Sequence, residues 1–365
     1  MSDASQRAIL EAAYSGAAAA HRYVTFDERE QFRNAPVRKL NNFVKACVID
    51  IAARTVAPHA AVAAEGLRVC DVACGRGQDI SKWKYAAQNA RVRLRRYYAL
   101  DLVDADVDAA RDMALRYLPA DGSTDVRVEA ADMTVAFPFA DACVDVVSCQ
   151  LALHYACDAE ARLERVLAEA ARVLARPHGL LLLSFTDGRA VVRRVRDALT
   201  HEVGSGAGAD YVTVRREFYS IEMAARHARA RLDTPFGRAY TFTMHDSVAG
   251  VPEFLCNDGA VAAAAARHGF AFCAAGAFDA CARAWTAAAD GRFGVMAATM
   301  YRDDAAWQRD AGGLDAASLY RWMAFSCGGG GGGGGGDVRA RWAAAASDAA
   351  RPEVTEKQPC KKVRR

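Results

Sequence analysis

Three aspartates, a glycine turn and a glutamine fall where apolar runs end. Asp71 lies in Leu67–Ala73, which runs into Cys74-Gly75-Arg76-Gly77. Asp101 closes Arg96–Leu102, Asp132 follows Val126–Ala131, and Gln150 sits in Val144–Leu153. Glycine just after a strand lets a ligand approach the backbone closely. An acid closing the next strand can accept hydrogen bonds from both hydroxyls of a ribose, so the combination points to a nucleoside-containing cofactor. A dinucleotide site prefers G-x-G-x-x-G and seats pyrophosphate on helix amides. Ala73-Cys74-Gly75-Arg76-Gly77-Gln78-Asp79 fits that pattern poorly. An acidic turn suits a cationic sulfonium, and Asp132 stands where an adenine amino group needs an acceptor. S-adenosylmethionine is therefore favoured over a nicotinamide dinucleotide.

The elements that must position these residues follow from the alternation around them. Apolar runs at Leu67–Ala73, Arg96–Leu102, Val126–Ala131, Val144–Leu153 and Leu180–Phe185 alternate with helical patterns at Asp104–Leu118 and Asp158–Leu174. Continuous apolar strands between helices predict a parallel sheet covered on both faces. An amphipathic helix led in by Pro36 is expected over residues 36–57, a further helix over 187–200, and a Gly/Ala loop over 201–210. Weak alternation over 211–245 predicts an inserted hairpin, and a helix is expected from about Val251 to His268. Strands near Phe270–Phe278 and Ser318–Ser326 complete a seven-stranded sheet. Residues 1–35 read as an N-terminal helical or flexible segment, 36–327 as the catalytic domain, and 328–365 as a Gly-rich linker and basic disordered tail. Nine consecutive glycines, Gly328 to Gly336, begin that tail. With no apolar face expected after them, removal of the chain beyond Cys327 is expected to leave activity intact.

The chain has 365 residues, with 52% hydrophobic and 25% charged, which excludes wholesale disorder and a collagen-like chain. Lys and Arg total 47 against 44 Asp and Glu, so the net charge of +3 neither demands nor excludes a nucleic-acid partner. No apolar run is long enough to span a membrane, and the N-terminus lacks a secretory pattern. The eleven cysteines are irregularly spaced with no C-x-x-C, so they read as reduced, mostly buried thiols, and no metal site is expected.

Five stretches, in order, resemble the cellular mRNA cap (guanine-N7) methyltransferases. They are Val37-Arg38-Lys39-Leu40-Asn41-Asn42-Phe43-Val44-Lys45; Asp71 to Asp79 with Lys82-Trp83-Lys84; Ser148 to Tyr155; Phe236 to Phe242 with Val251-Pro252-Glu253-Phe254-Leu255; and Trp307 with Ser318-Leu319-Tyr320 and Ala324-Phe325. Together they cover about residues 20–327. The resemblance implies a Rossmann-like class I S-adenosylmethionine-dependent methyltransferase. Its fold is α/β, a seven-stranded mostly parallel sheet with helices on both faces and a cap-binding insertion.

The resemblance also assigns roles. Lys45 matches the lysine that pairs with the methionine carboxylate. Asp101 and Asp132 match the ribose and adenine carboxylates, and Gln150 a cofactor contact. Asn41 and Asn42 match an asparagine pair near the cap, and Arg76 and Lys82 match basic positions that meet its triphosphate. His154 and Tyr155 match the pair beside the guanine, Tyr155 also bordering the cofactor. Glu253 is implied to face the guanine edge, and Tyr320 matches an aromatic near the cap. The first glycine of the family turn is Ala73 here, a change expected to be harmless if φ is negative. Phe43 replaces a family tryptophan.

The implied reaction is transfer of methyl to cap N7, with 5′-capped mRNA as substrate. The N7 lone pair is already free, so no catalytic acid, base or nucleophile is expected. A separate capping guanylyltransferase or triphosphatase is the expected partner, because no K-x-D-G nucleophile motif occurs. The terminal Lys361-Lys362-Val363-Arg364-Arg365 resembles a short nuclear-import signal, so nuclear localisation is expected. The alternatives are a methyltransferase acting on another RNA or a small molecule, and a non-catalytic cofactor-binding subunit of a capping complex.

Overall fold

Unbroken apolar strands must be covered on both faces, and the computed structural model arranges them accordingly. It describes residues 28, 30–118, 121–201, 210–232, 235–302, 304–328 and 334–348. Seven strands form one sheet: β1 (Leu67–Val72), β2 (Leu94–Asp101), β3 (Asp125–Ala130), β4 (Val146–Cys149), β5 (Leu180–Thr186), and later β10 (Phe270–Ala277) and β11 (Tyr320–Cys327). The order is β10-β11-β5-β4-β1-β2-β3. Pairing is parallel from β5 through β3, and β11 runs antiparallel to both β5 and β10. Every residue of β4 and β5 is buried, as a central double-covered strand requires. After β3 the chain returns to the other side of β1 to lay down β4. That reversal opens a crevice beyond the carboxyl ends of β1 and β4.

Between β5 and β10 the chain builds a second, four-stranded antiparallel sheet, β6 (Tyr211–Arg215), β7 (Tyr219–Ala224), β8 (Ala239–Met244) and β9 (Val248–Phe254). The expected single hairpin is thus half of a meander. The helix expected from Val251 is corrected: Val251 to Phe254 belong to β9, and the helix is Asp258–Arg267. Pro252 would end a ladder in a central strand, but β9 is an edge of this sheet, where a missing N–H is tolerated. Asn257 then starts the helix, its side chain accepting the Ala260 N–H at 2.8 Å. The fourth strand also ends earlier than expected. Leu151 adopts φ 60°, and Leu153–Ala156 forms a 3₁₀ turn.

The helix Ala35–Val56 has Pro at its first turn and buries Leu40, Phe43, Val44, Cys47, Val48 and Ile51. It packs against the helix Ile80–Asn89, and Phe43 lies 5.4 Å from the Trp307 ring centroid. Ten cysteines fall among the described residues; all are free and seven are buried.

The expectation for the tail is corrected over 334–348. These residues form a helix, Gly334–Asp348, lying against Ala35–Val56 and the β10–β11 edge. Val338, Trp342 and Ala345 are buried, an i, i+4, i+7 stripe. Trp342 sits 5.6 Å from the Trp322 ring, and Arg292 Nη2 donates to the Ala345 carbonyl at 2.9 Å. The basic terminus and most of residues 1–35 lie outside the described residues. Truncation after Cys327 should therefore uncover core, and Trp342→Ala should cost about 3 kcal/mol or more of stability. Thermal melts of both check this; unchanged melting temperatures would mean the helix contributes nothing.

Candidate functional site

The crevice is a cavity of about 490 Å³, bounded by the strand ends, the helix Ala35–Val56 and the second sheet. It brings together Lys45, Ala73, Asp101, Asp132, Gln150 and Tyr155 with Asn41, Asn42, Arg76, His154, Glu253 and Tyr320. Lys82 does not line it. Its ammonium bonds the Asp79 carboxylate at 2.7 Å and the Gln78 carbonyl at 3.1 Å. Lys45 holds the same carboxylate at 2.9 Å, so Asp79 bridges two lysines. Burial pushes Asp79 up, but the two ammonium groups more than offset this and hold it well below the carboxylate range. Lys82, expected at the triphosphate, is thus paired with Asp79 just as Lys45 is.

The turn after β1 is built for close approach. A Cβ at Gly75 would meet nothing within 4 Å, so bare backbone faces open space there. Gly77 is needed for packing, since its Cβ would lie 2.8 Å from Ile80 Cδ1 and 3.0 Å from Ala110 Cα. Ala73 has φ 53°, so the condition under which the change would be harmless, a negative φ, is not met. The turn requires the left-handed conformation that the family glycine would adopt without strain.

Asp101 is buried at the end of β2. Its Oδ2 accepts the Gly75 N–H at 2.7 Å and its Oδ1 the Val103 N–H at 3.0 Å. These donors hold the carboxyl toward the cavity with acceptor capacity to spare for a sugar diol. Asp132 Oδ1 accepts from the Thr134 backbone N–H at 2.8 Å and from its hydroxyl at 2.7 Å. Gln150 is locked between Ser148 and Ser184, at 3.1 and 2.9 Å. This half, with bare turn backbone, a diol acceptor on β2 and an acid after β3, fits an adenosine carrying a cationic side chain.

Two further acids border the site: Asp71, noted from its strand-end position but given no role, and Asp106, not noted from the sequence. Asp71 takes the Tyr97 hydroxyl at 2.6 Å, yet burial, with the nearby Asp79 carboxylate, raises it to about 7. Asp106 lines the cavity from the first turn of the helix Asp104–Tyr117. No local pattern in the sequence sets Asp106 apart from the other acids of its helix.

The other half is organised around Glu253 on β9, which is 4% exposed. Its Oε2 accepts the Tyr240 hydroxyl at 2.5 Å, from the cross-strand position on β8, and the Thr186 hydroxyl at 3.2 Å, from the end of β5. Its Oε1 stands 3.5 Å from His154 Nε2. His154 Nδ1 accepts the Thr186 N–H at 3.4 Å, so the neutral ring carries its proton on Nε2. That buried Nε2 makes no hydrogen bond among the described residues. The pair presents a carboxyl acceptor beside an imidazole N–H donor. Tyr155 lies against His154, centroids 4.3 Å apart. Tyr240 and Thr186 were missed because Tyr240 reaches Glu253 through β8–β9 pairing and Thr186 through the contact between the two sheets.

The profile of the mRNA (guanine-N(7))-methyltransferase domain matches residues 6–326. The chain is similar to mRNA cap guanine-N(7) methyltransferase 1 of Oryza sativa subsp. japonica, 29% identical over 247 residues, covering 63% of this chain and 58% of that one. It is 28% identical over 250 residues to mRNA cap guanine-N(7) methyltransferase 1 of Arabidopsis thaliana, with 63% and 58% covered. It is 25% identical over 224 residues to mRNA cap guanine-N(7) methyltransferase of Schizosaccharomyces pombe, with 60% and 55% covered. The chain thus spans less than two thirds of the length of these relatives.

Two outcomes follow from the turn. Ala73→Gly should raise stability by roughly 0.5–1 kcal/mol by relieving the positive φ, read as a higher melting temperature. Asp71, raised in the fold, keeps its proton where the unfolded chain has lost it. Its contribution is full at low pH and fades as pH rises through about 7. Asp71→Asn should therefore gain stability relative to wild type between about pH 5 and pH 8. Parallel melting curves across that range would contradict this.

Proposed function

Because the chain belongs to the mRNA (guanine-N(7))-methyltransferase family, we propose that it methylates N7 of the terminal guanosine of a 5′ mRNA cap, converting GpppRNA to m7GpppRNA with S-adenosylmethionine as donor. The observation that carries this reading is the Glu253–His154 pair facing the same cavity as Asp101. Guanine offers N1–H and a 2-amino group to an acceptor and O6 to a donor. Glu253 Oε1 and His154 Nε2–H supply the complementary set. Adenine reverses the polarity at N1 and at the 6-position.

When bound, S-adenosylmethionine supplies an electrophilic methyl on a positively charged sulfur. With the cofactor bound, guanine N7 would accept that methyl, and the residues around the base would stabilise the positive charge the ring gains. No proton moves, so the residues act by alignment and electrostatics, which can be worth roughly 7–11 kcal/mol of barrier in favourable cases. Asp101 and Asp132 hold the nucleoside, and Gln150 borders its reactive end. Tyr155 and Tyr320 flank the guanine. Glu253 both reads the base and stabilises the cation that develops on it. Arg76 meets the triphosphate with Asn41 and Asn42 beside it. Lys45 meets the methionine carboxylate, and Asp79 holds its ammonium ready for that contact. The substrate is capped mRNA, supplied by a separate guanylyltransferase and triphosphatase, and the protein works in the nucleus. No helix among the described residues is long and apolar enough to cross a membrane.

Glu253→Gln keeps the volume but turns one acceptor into a donor. It should lower cap methylation by roughly 10- to 150-fold per lost charge-assisted bond while cofactor binding persists. Tyr240→Phe removes one of the donors that fix Oε2 and should cost about tenfold in kcat/KM for GpppRNA. Asp101→Ala should abolish S-adenosylmethionine binding in calorimetry with the fold retained. Glu253→Gln turning over GpppRNA at the wild-type rate would remove the cap-specific part of this reading.

A further inference from the structure

Asp106 has no part in the reading above. It is the third residue of the helix Asp104–Tyr117, close in sequence to Asp101, and it lines the same cavity. It is 6% exposed, and its Oδ1 is fully buried with no hydrogen-bond partner among the described residues. Burial raises its carboxyl to about 6; the Asp101 carboxylate adds to the rise and the Arg76 guanidinium opposes it.

A buried carboxyl without a donor costs stability, so its presence needs a reason. Helix packing does not supply one, because Val107 and Ala110 form the buried face beside it. The helix dipole does not either, since the exposed Asp104 already places an acid at the start of the first turn. The contrast with Asp101 is informative. Both Asp101 oxygens are anchored by backbone N–H groups, of Gly75 and Val103. Asp106, beside it, still lacks the donor that a buried carboxyl demands.

We propose that Asp106 is a second ribose acceptor, taking one hydroxyl of the cofactor's diol while Asp101 takes the other. The inference rests on the nucleoside half of the proposed function and is independent of the cap. A sugar hydroxyl supplies the missing donor, its proton stays on the sugar, and Asp106 becomes satisfied only when the site is filled. The carboxylate pair then discriminates ribose from deoxyribose, which one anchored carboxylate does less well.

The test is calorimetric binding of S-adenosylhomocysteine and its 2′-deoxy and 3′-deoxy forms to the full-length protein, as wild type, Asp106→Ala and Asp106→Asn. Asp106→Ala should bind the parent about tenfold more weakly but lose nothing for the analogue that lacks the hydroxyl Asp106 holds. Asp106→Asn keeps an acceptor oxygen and should lose less. The unliganded Asp106→Ala protein should melt no lower than wild type, because no hydrogen bond is lost. Wild-type affinity of Asp106→Ala for the parent would overturn the proposal. Equal losses on all three ligands would assign a structural role and overturn it too. An effect confined to the KM for GpppRNA would place Asp106 with Arg76 and also overturn it. If wild type binds none of the three ligands, the nucleoside reading itself fails, an outcome distinct from all of these.

Discussion

A carboxylate taken out of water needs donors or cations in exchange, and the site is organised by how that need is met. Asp79 is met by two lysines, Asp101 by backbone amides, and Glu253 by Tyr240 and Thr186. These three are held in fixed orientations by the protein itself. Asp71, with one hydroxyl and a neighbouring carboxylate, is only partly compensated, and Asp106 lacks a partner for Oδ1. The protein thus keeps unsatisfied acidity on the side of the cavity where a cation and a sugar diol would supply the balance. It keeps a fully oriented carboxylate, Glu253, on the second sheet at the other side.

The backbone carries a second cost at the same place. Ala73 and Leu151, just past β1 and β4, both have positive φ, 53° and 60°. They flank the point where strand order reverses, so the two strands that open the crevice both end in strained turns. Surrounding bonds hold that strain. Cys74 N donates to the Leu100 carbonyl at 3.0 Å, and Leu151 N to the Ser184 hydroxyl at 2.8 Å. Ser184 in turn donates to Gln150, so the geometry that ends β4 also fixes a cavity-lining side chain.

Much of this was legible from residue order. The nearly unbroken apolar runs that became β1, β4 and β5 marked buried parallel strands, whereas the run before Asp132 alternates with Arg127 and Glu129 because β3 is a sheet edge. The illegible parts depended on tertiary context. The helix expected from Val251 began later because Val251 to Phe254 pair with β8 as the edge strand β9. The partners of Glu253 come from β8 and β5, and no local pattern pairs them. The stripe Val338, Trp342, Ala345 was hidden by alanines around it and by nine glycines before it, which announce a linker. Lys82 was read toward the triphosphate, while its partner Asp79, three residues away, was read only as part of the turn. Whether Ala73 is strained is a matter of one dihedral angle, which residue identity alone does not reveal.

The central claim is that one cavity joins a nucleoside site at the strand ends to a guanine-reading carboxylate on the second sheet. Its most direct test is transfer of labelled methyl from S-adenosylmethionine to GpppRNA, with ApppRNA as control and the labelled position in the product identified. The account predicts label on guanine N7 of GpppRNA and essentially none on ApppRNA. Equal labelling of the two RNAs, or methyl found at another position of the cap, would contradict it.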